Sequence, residues 1–157
     1  MGLANATGGT PFASGKDLKG PGPAASDPAG ENSDALADRD PATMLRKFRT
    51  IYVQSRSAWI KADVVQAALA KQPEFAAWNL LVVNDPRMAD LMLTVDRVLF
   101  TWDFTYELTH RKTTMVLDTG KLTAADGISA APKIARKIMD RIKTVRPVPP
   151  APAKSAG

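Results

Sequence analysis

Apolar and polar residues alternate between residues 90 and 109, and the alternation changes parity part-way along. Apolar side chains occupy odd positions from Leu91 to Val95 and even positions from Trp102 to Leu108. An unbroken strand over this segment would span about 66 Å at ~3.3 Å per residue, whereas a domain of this size has a radius of gyration of only about 13 Å. The segment therefore predicts two strands, separated by a bulge or bend around residues 97–100.

Further strands and helices flank this pair. The patterns over residues 50–56, 80–83 and 113–123 predict strands, with Gly120 as a candidate bulge. Apolar spacing predicts a helix over residues 62–71 and a further helical stretch that opens at Pro73. A last helix is predicted to open at Pro132, and its apolar face repeats every four residues as Ile134, Ile138 and Ile142.

The resulting order β-α-β-β-β-β-α predicts an α+β fold. We expect a two-layer sandwich, in which a mainly antiparallel sheet of four to five strands carries two helices on one face. The other face of the sheet, which includes Asp103 and Glu107, is then expected to meet solvent.

Glycine and proline divide the chain into three parts. Residues 1–43 hold seven Gly and five Pro, residues 44–146 hold two Gly and three Pro, and residues 147–157 hold one Gly and four Pro. The first segment shows no apolar periodicity, so it cannot bury enough apolar surface to offset the entropy lost on ordering. We predict a flexible Gly/Pro/Ala-rich arm over 1–43, the α+β domain over 44–146, and a Pro/Ala-rich tail over 147–157, with both termini disordered.

Net charge follows the same division. Residues 1–43 carry −3 and residues 44–146 carry +7, and Lys154 brings the total to +5. A basic domain suits an acidic partner, because its field attracts negative charge. The predicted contacts to an acidic partner or to phosphate groups lie on the last helix: Lys133, Arg136, Lys137, Arg141 and Lys143. A simply solvated helix face is the alternative interpretation of the same residues.

The sequence offers little for catalysis. It has no cysteine, which excludes disulfides and thiolate chemistry, and its one histidine excludes a multi-histidine metal site. His110 is expected to be an ordinary exposed turn residue, where neighbouring cations disfavour its protonated form. Asp103 and Glu107 share one strand face about 13 Å apart, beyond the ~5–9.5 Å of glycosidase carboxylate pairs. We therefore predict no catalytic, cofactor-binding or metal-binding residue, and a protein that is not an enzyme.

The aromatic residues are expected to belong to the core or to its edge. This applies to Trp59, Trp78 and Trp102, and to the even-numbered stripe formed by Trp102, Phe104 and Tyr106. A solvent-facing stripe could stack on nucleic-acid bases, but the opposite face, with its carboxylates, would then be buried at a large cost in free energy.

Three segments carry a resemblance to known proteins: residues 89–93 (Ala-Asp-Leu-Met-Leu), 99–104 (Leu-Phe-Thr-Trp-Asp-Phe) and 129–132 (Ser-Ala-Ala-Pro). Over roughly residues 48–144 the chain resembles a group of small bacterial proteins that share this order of elements, a plan similar to small domains of cell-envelope assembly proteins. The resemblance implies the fold and supplies no catalytic residue.

These observations favour a non-enzymatic structural or accessory subunit, which docks on a larger protein assembly through the domain and its extended termini. The tail pattern from Arg146 to Pro152 also fits a polyproline-II ligand motif, although such short patterns are common and a semi-rigid solvated tail is the favoured interpretation. The alternative function is a nucleic-acid-binding module that uses the basic last helix, and an enzyme comes third. No signal peptide is visible after Met1, which predicts a cytoplasmic protein, or a periplasmic or envelope protein if the numbering starts after processing.

Overall fold

The computed structural model of the protein describes residues 39–148, so the predicted arm and tail fall almost entirely outside the described residues. The described part contains four α-helices, one 3-10 helix and five strands. The helices are α1 (Pro41–Lys47), α2 (Ala62–Ala70), α3 (Pro73–Ala77) and α4 (Gly127–Lys143), and the 3-10 helix is Pro86–Met88. The strands are β1 (Thr50–Ser55), β2 (Leu81–Val82), β3 (Leu91–Arg97), β4 (Asp103–His110) and β5 (Val116–Thr123).

The five strands form one mixed sheet in the order β2-β1-β3-β4-β5. β1 runs parallel to both β2 and β3, whereas β3–β4 and β4–β5 are antiparallel pairs. The α+β class is confirmed, and the sheet is mixed rather than purely antiparallel, because β1 forms parallel pairs on both sides. Helices α2 and α3 connect β1 to β2 and bring the chain back to the end of the sheet at which β1 starts. Such a crossover connection is what a parallel pair requires.

The change of parity between residues 95 and 102 is resolved by a hairpin. Its register pairs odd residues of β3 with even residues of β4, for example Leu93 with Leu108 and Val95 with Tyr106. Residues directly opposite each other in a ladder share a face. The apolar residues of β3 and β4 therefore lie on the same side of the sheet, in the buried core to which α2 and α4 also contribute.

Helix α4 begins earlier than predicted. Asp126 is its N-cap, accepting a hydrogen bond from the Ser129 backbone N–H at 2.7 Å, and the Ser129 side chain completes a capping box. Pro132 lies inside the helix rather than at its start. Proline has no N–H to donate to the carbonyl four residues earlier, which is that of Ile128. Ile128 lies in the first turn and is exposed to solvent.

Helix α1 was not predicted from the sequence. Asp40 caps it by accepting from the Thr43 N–H at 2.9 Å, and Pro41 occupies its first turn. Met44 and Leu45 are buried in the common core. Regular structure is therefore present before residue 44, within the last residues of the segment assigned to the arm.

The irregularity in β5 lies at Leu117 and not at Gly120. Leu108 pairs with Asp118 and Thr109 with Val116, so Leu117 is the extra residue of a bulge. Gly120 pairs with Tyr106, and a Cβ added at Gly120 would lie 2.4 Å from the Tyr106 Cε1 atom. The glycine therefore makes room for the tyrosine ring.

Candidate functional site

One end of the domain exposes an apolar surface, which we call the aromatic end: Trp59, Val98, Leu99, Phe100 and Trp102. Trp59 precedes α2, and the other four residues form the turn between β3 and β4. Trp59 is 70% exposed and Trp102 61% exposed, while Phe100 is exposed completely. Large apolar side chains gathered on one surface mark an interaction site more often than those scattered singly.

Arg97 joins the two tryptophans. Its guanidinium carbon lies 4.5 Å from the centre of the Trp59 ring and 5.2 Å from that of Trp102. Both distances fall within the ~6 Å of a cation–π contact. Arg97 therefore fixes the spacing of two rings that the core does not cover.

Three hydrogen bonds stabilise the turn between β3 and β4. The Arg97 Nε donates to the Thr101 carbonyl at 2.9 Å, and the Val98 N–H donates to the Asp103 carbonyl at 2.9 Å. The Thr101 hydroxyl donates to the Val98 carbonyl at 2.9 Å. Phe100 has a φ of 61°, in the left-handed region that costs a bulky residue of order 1–3 kcal/mol. Phe100 is therefore strained but not buried, and backbone strain of this kind clusters at functional sites.

The other half of the aromatic end is held by the start of α4. A Cβ at Gly127 would lie 2.1 Å from the Trp59 carbonyl oxygen and 2.8 Å from the Ile60 Cα. Only glycine allows this close approach, which presses the Trp59 loop against the helix start. The backbone that carries the aromatic end is thus preorganised, so binding would cost little conformational entropy.

The prediction that Trp59 and Trp102 belong to the core is wrong, whereas the same prediction for Trp78, Phe104 and Tyr106 is confirmed. Trp102 precedes the first paired residue of β4, so the alternation that buries Phe104 does not extend to it. The signal that could have found this surface is the apolar run Val98-Leu99-Phe100, which lies within the predicted bend.

The five predicted cationic contacts on α4 are all exposed, but they are not equivalent. Lys133 and Lys137 reach across to β5 and donate to the Thr123 and Lys121 carbonyls, at 3.3 and 3.4 Å. Lys143 pairs with Glu74 at 2.5 Å and with Asp140 at 3.6 Å. These contacts raise the pKa of Lys143, mainly through the hydrogen bond to Glu74. Arg136 and Arg141 complete the row.

His110 lies at the end of β4 and is half-buried, rather than exposed as expected. Its Nδ1 is 2.9 Å from the Thr113 hydroxyl. Burial is the largest cause that lowers the pKa of His110; the Asp90 carboxylate opposes it, and the cations of Lys112 and Arg111 add to the lowering.

The acidic residues of the open sheet face are engaged with neighbours. Asp103 accepts from the Lys121 ammonium at 2.6 Å and from the Thr123 hydroxyl at 2.7 Å, and these bonds lower its pKa. Glu107 accepts from the Thr109 hydroxyl at 3.1 Å. Within residues 39–148 there is no group of three acidic, histidine or cysteine side chains that could hold a metal ion.

None of the helices between residues 39 and 148 combines the length and the apolar character needed to cross a bilayer.

Comparison with known proteins finds a distant likeness among solved structures. No family model and no curated protein matches the chain. Among solved structures the chain is similar to a dodecamer of a PelC variant from Paraburkholderia phytofirmans, with 16% sequence identity and a TM-score of 0.38. The match covers 62% of this chain and 89% of that chain. A likeness at this level carries no functional inference, so the resemblance to small bacterial and cell-envelope proteins stays a prediction.

Proposed function

We propose that this protein is a non-enzymatic accessory subunit, which docks on a larger protein assembly through the aromatic end. The observation that carries the proposal is the pair of exposed tryptophans held on either side of Arg97, beside the fully exposed Phe100. Tryptophan and arginine are the residues most enriched among those that dominate binding energy at protein interfaces.

The size of the aromatic end suits such a role. Each large aromatic side chain can bury about 150–250 Å². The exposed parts of Trp59, Phe100 and Trp102 therefore offer roughly 400–500 Å², and Val98 and Leu99 add to it. A standard interface buries about 800 Å² per partner. The aromatic end is large enough for the apolar centre of an interface, around which the rest of the domain and the two termini would supply the rim.

The charges beside the aromatic end indicate the partner's chemistry. Arg56 and Arg97 line the same cleft as Trp59 and Phe100, with Asp96 as its only acid. A partner that offers an apolar pocket with carboxylates at its margin would complement this cleft, because opposite charges across a rim guide association.

The test is affinity capture from a lysate of the source organism, with the full chain as bait. One bait carries Phe100→Ser with Trp102→Ser, and its matched control carries Leu81→Ser with Met88→Ser, which are exposed apolar residues away from the aromatic end. We expect a protein that the parent and the control retain and that the aromatic-end variant loses. Loss of an interface hot spot costs at least about 2 kcal/mol, or roughly 30-fold in affinity. Equal retention by all three baits would refute the proposed docking surface.

Nucleic-acid binding through α4 is the second candidate function. It is favoured by Arg136, which makes no ion pair with any residue between 39 and 148, and by the neighbouring exposed Lys133 and Lys137. Changing all three to Gln should lower the log–log salt slope of binding by about 2–3, since each phosphate contact contributes about 0.7–0.9. Tight, salt-sensitive binding that only this variant loses would favour this function over docking.

A further inference from the structure

Three arginines meet at the end of the domain opposite the aromatic end. Arg46 lies in the last turn of α1, Arg49 lies between α1 and β1, and Arg146 follows α4. With Trp78, Asn79 and Pro147 they line an open cleft of about 480 Å³. No acidic side chain lines this cleft.

Arg146 is the centre of this cluster and is only 8% exposed. Its guanidinium lies 5.0 Å from the centre of the Phe48 ring and 5.6 Å from that of Trp78. Its Nη2 donates to the Phe48 carbonyl at 3.0 Å and also to the Arg46 carbonyl. Its Nη1 is buried and has no hydrogen-bond partner among the described residues. A buried unpaired donor on a charged group is costly and calls for an explanation.

The side chains of the three arginines donate only to carbonyl oxygens near helix ends, although the Arg49 backbone N–H donates to the Asp90 carboxylate at 2.8 Å. Arg146 bonds at the end of α1, the Arg49 Nη1 donates to the Trp78 carbonyl after α3 at 3.0 Å, and the Arg46 Nε donates to the Val145 carbonyl after α4 at 2.8 Å. A helix C-terminus carries at most about half a negative charge. Three such ends offset at most about 1.5 of the three positive charges. The Asp40 carboxylate at the start of α1 also attracts Arg46, but no acid lines the cleft, so a positive surplus remains there.

The electrostatics agree with an uncompensated cluster. Burial lowers the pKa of Arg146, and the charge of Arg49 lowers it further. No carboxylate contributes in the opposite direction. The nearby Glu74 carboxylate is already paired with Lys143.

We propose that this cleft binds a phosphate group, either as free phosphate or as part of a small phosphate ester. Arginine suits a tetrahedral oxyanion, because the fixed fork of its guanidinium can donate two parallel hydrogen bonds. Arg46 and Arg49 are exposed and can turn their remaining N–H groups to the ligand, while the exposed Val148 side chain at the margin of the cleft offers an apolar contact for an ester group. This inference does not depend on the proposed docking function.

The test is isothermal titration calorimetry of the full chain with inorganic phosphate, and separately with phenyl phosphate, at constant ionic strength. The test variant is Arg49→Gln, and the matched control is Arg87→Gln, an exposed arginine that does not line the cleft. We expect Arg49→Gln to weaken binding about tenfold or more, as the loss of a hydrogen bond to a charged group does, and Arg87→Gln to change it less than about twofold. Tighter binding of phenyl phosphate would identify an ester as the ligand, and equal binding would identify free phosphate.

Two results would overturn the inference. One is no heat of binding up to about 50 mM phosphate, a concentration that would saturate a millimolar site. The other is an equal loss of affinity in Arg49→Gln and Arg87→Gln, which would mean that the ion only screens surface charge. Circular dichroism and thermal denaturation of both variants should match the parent, and Arg46→Gln provides a second cleft variant if Arg49→Gln unfolds.

Discussion

Two isoleucines on α4 provide a direct measure of what burial contributes to this fold. Ile138 is 0% exposed and Ile128 is 73% exposed, and both lie in the same helix. Replacing Ile138 by Ala removes the Cγ1, Cγ2 and Cδ1 carbons from the core. At about 0.8 kcal/mol per buried carbon group, the lost transfer free energy is roughly 2.4 kcal/mol. A residual cavity of about 80 Å³ would add roughly 2 kcal/mol at ~24 cal/mol per Å³.

We therefore expect Ile138→Ala to lower the free energy of unfolding by about 2–4 kcal/mol, depending on how far the core collapses around the cavity. Ile128→Ala should change it by less than about 0.5 kcal/mol, because an exposed side chain loses little and alanine is the better helix former. Urea denaturation followed by circular dichroism measures both, and the midpoint for Ile138→Ala should fall by about 1–3 M. Comparable losses in the two variants would refute the assignment of the buried face of α4.

Three further changes test local details of the fold. Gly120→Ala should destabilise the domain by about 1–3 kcal/mol, because its Cβ would overlap the Tyr106 ring. An unchanged midpoint in urea denaturation would mean that the ring moves aside instead. Burial, followed by the Asp118 carboxylate, raises the pKa of Tyr106 to about 12, above the ~10 of an unfolded tyrosine. Its contribution to stability should therefore be complete below about pH 10 and decline as the pH rises towards 12, and Tyr106→Phe should flatten unfolding free energies measured over that range. Asp126→Ala removes the N-cap of α4 and should cost about 1 kcal/mol in the same denaturation assay, and an unchanged midpoint would contradict the capping box formed with Ser129.

The two proposed surfaces lie at opposite ends of β1. The aromatic end follows Ser55, while the arginine cleft precedes Thr50. A partner on one end would therefore leave the other accessible. Phe100→Ser with Trp102→Ser should abolish protein docking and leave phosphate binding unchanged. Arg49→Gln should weaken phosphate binding and leave protein docking unchanged. The calorimetric assay and the capture assay, applied to both variants, separate the two roles.

The sequence by itself determined the elements that depend on local patterning. The parity change between Val95 and Trp102 was enough to predict two strands, because side chains alternate strictly along a strand. The spacing of Ile134, Ile138 and Ile142 was enough to predict the buried face of the last helix, because a helix repeats every 3.6 residues. Both patterns are properties of neighbours along the chain, so they can be read without knowing what packs against them.

The tertiary structure alone decided the features on which the two proposals rest. Trp59 and Trp102 have the large apolar side chains typical of core residues. They are exposed because nothing in residues 39–148 covers the turns that carry them. Arg46 and Arg146 are separated by 100 residues in sequence and meet only because α1 packs at the end of α4. No periodicity encodes such a meeting. It follows from where the helices end against one another, and that is set by the packing of the whole core.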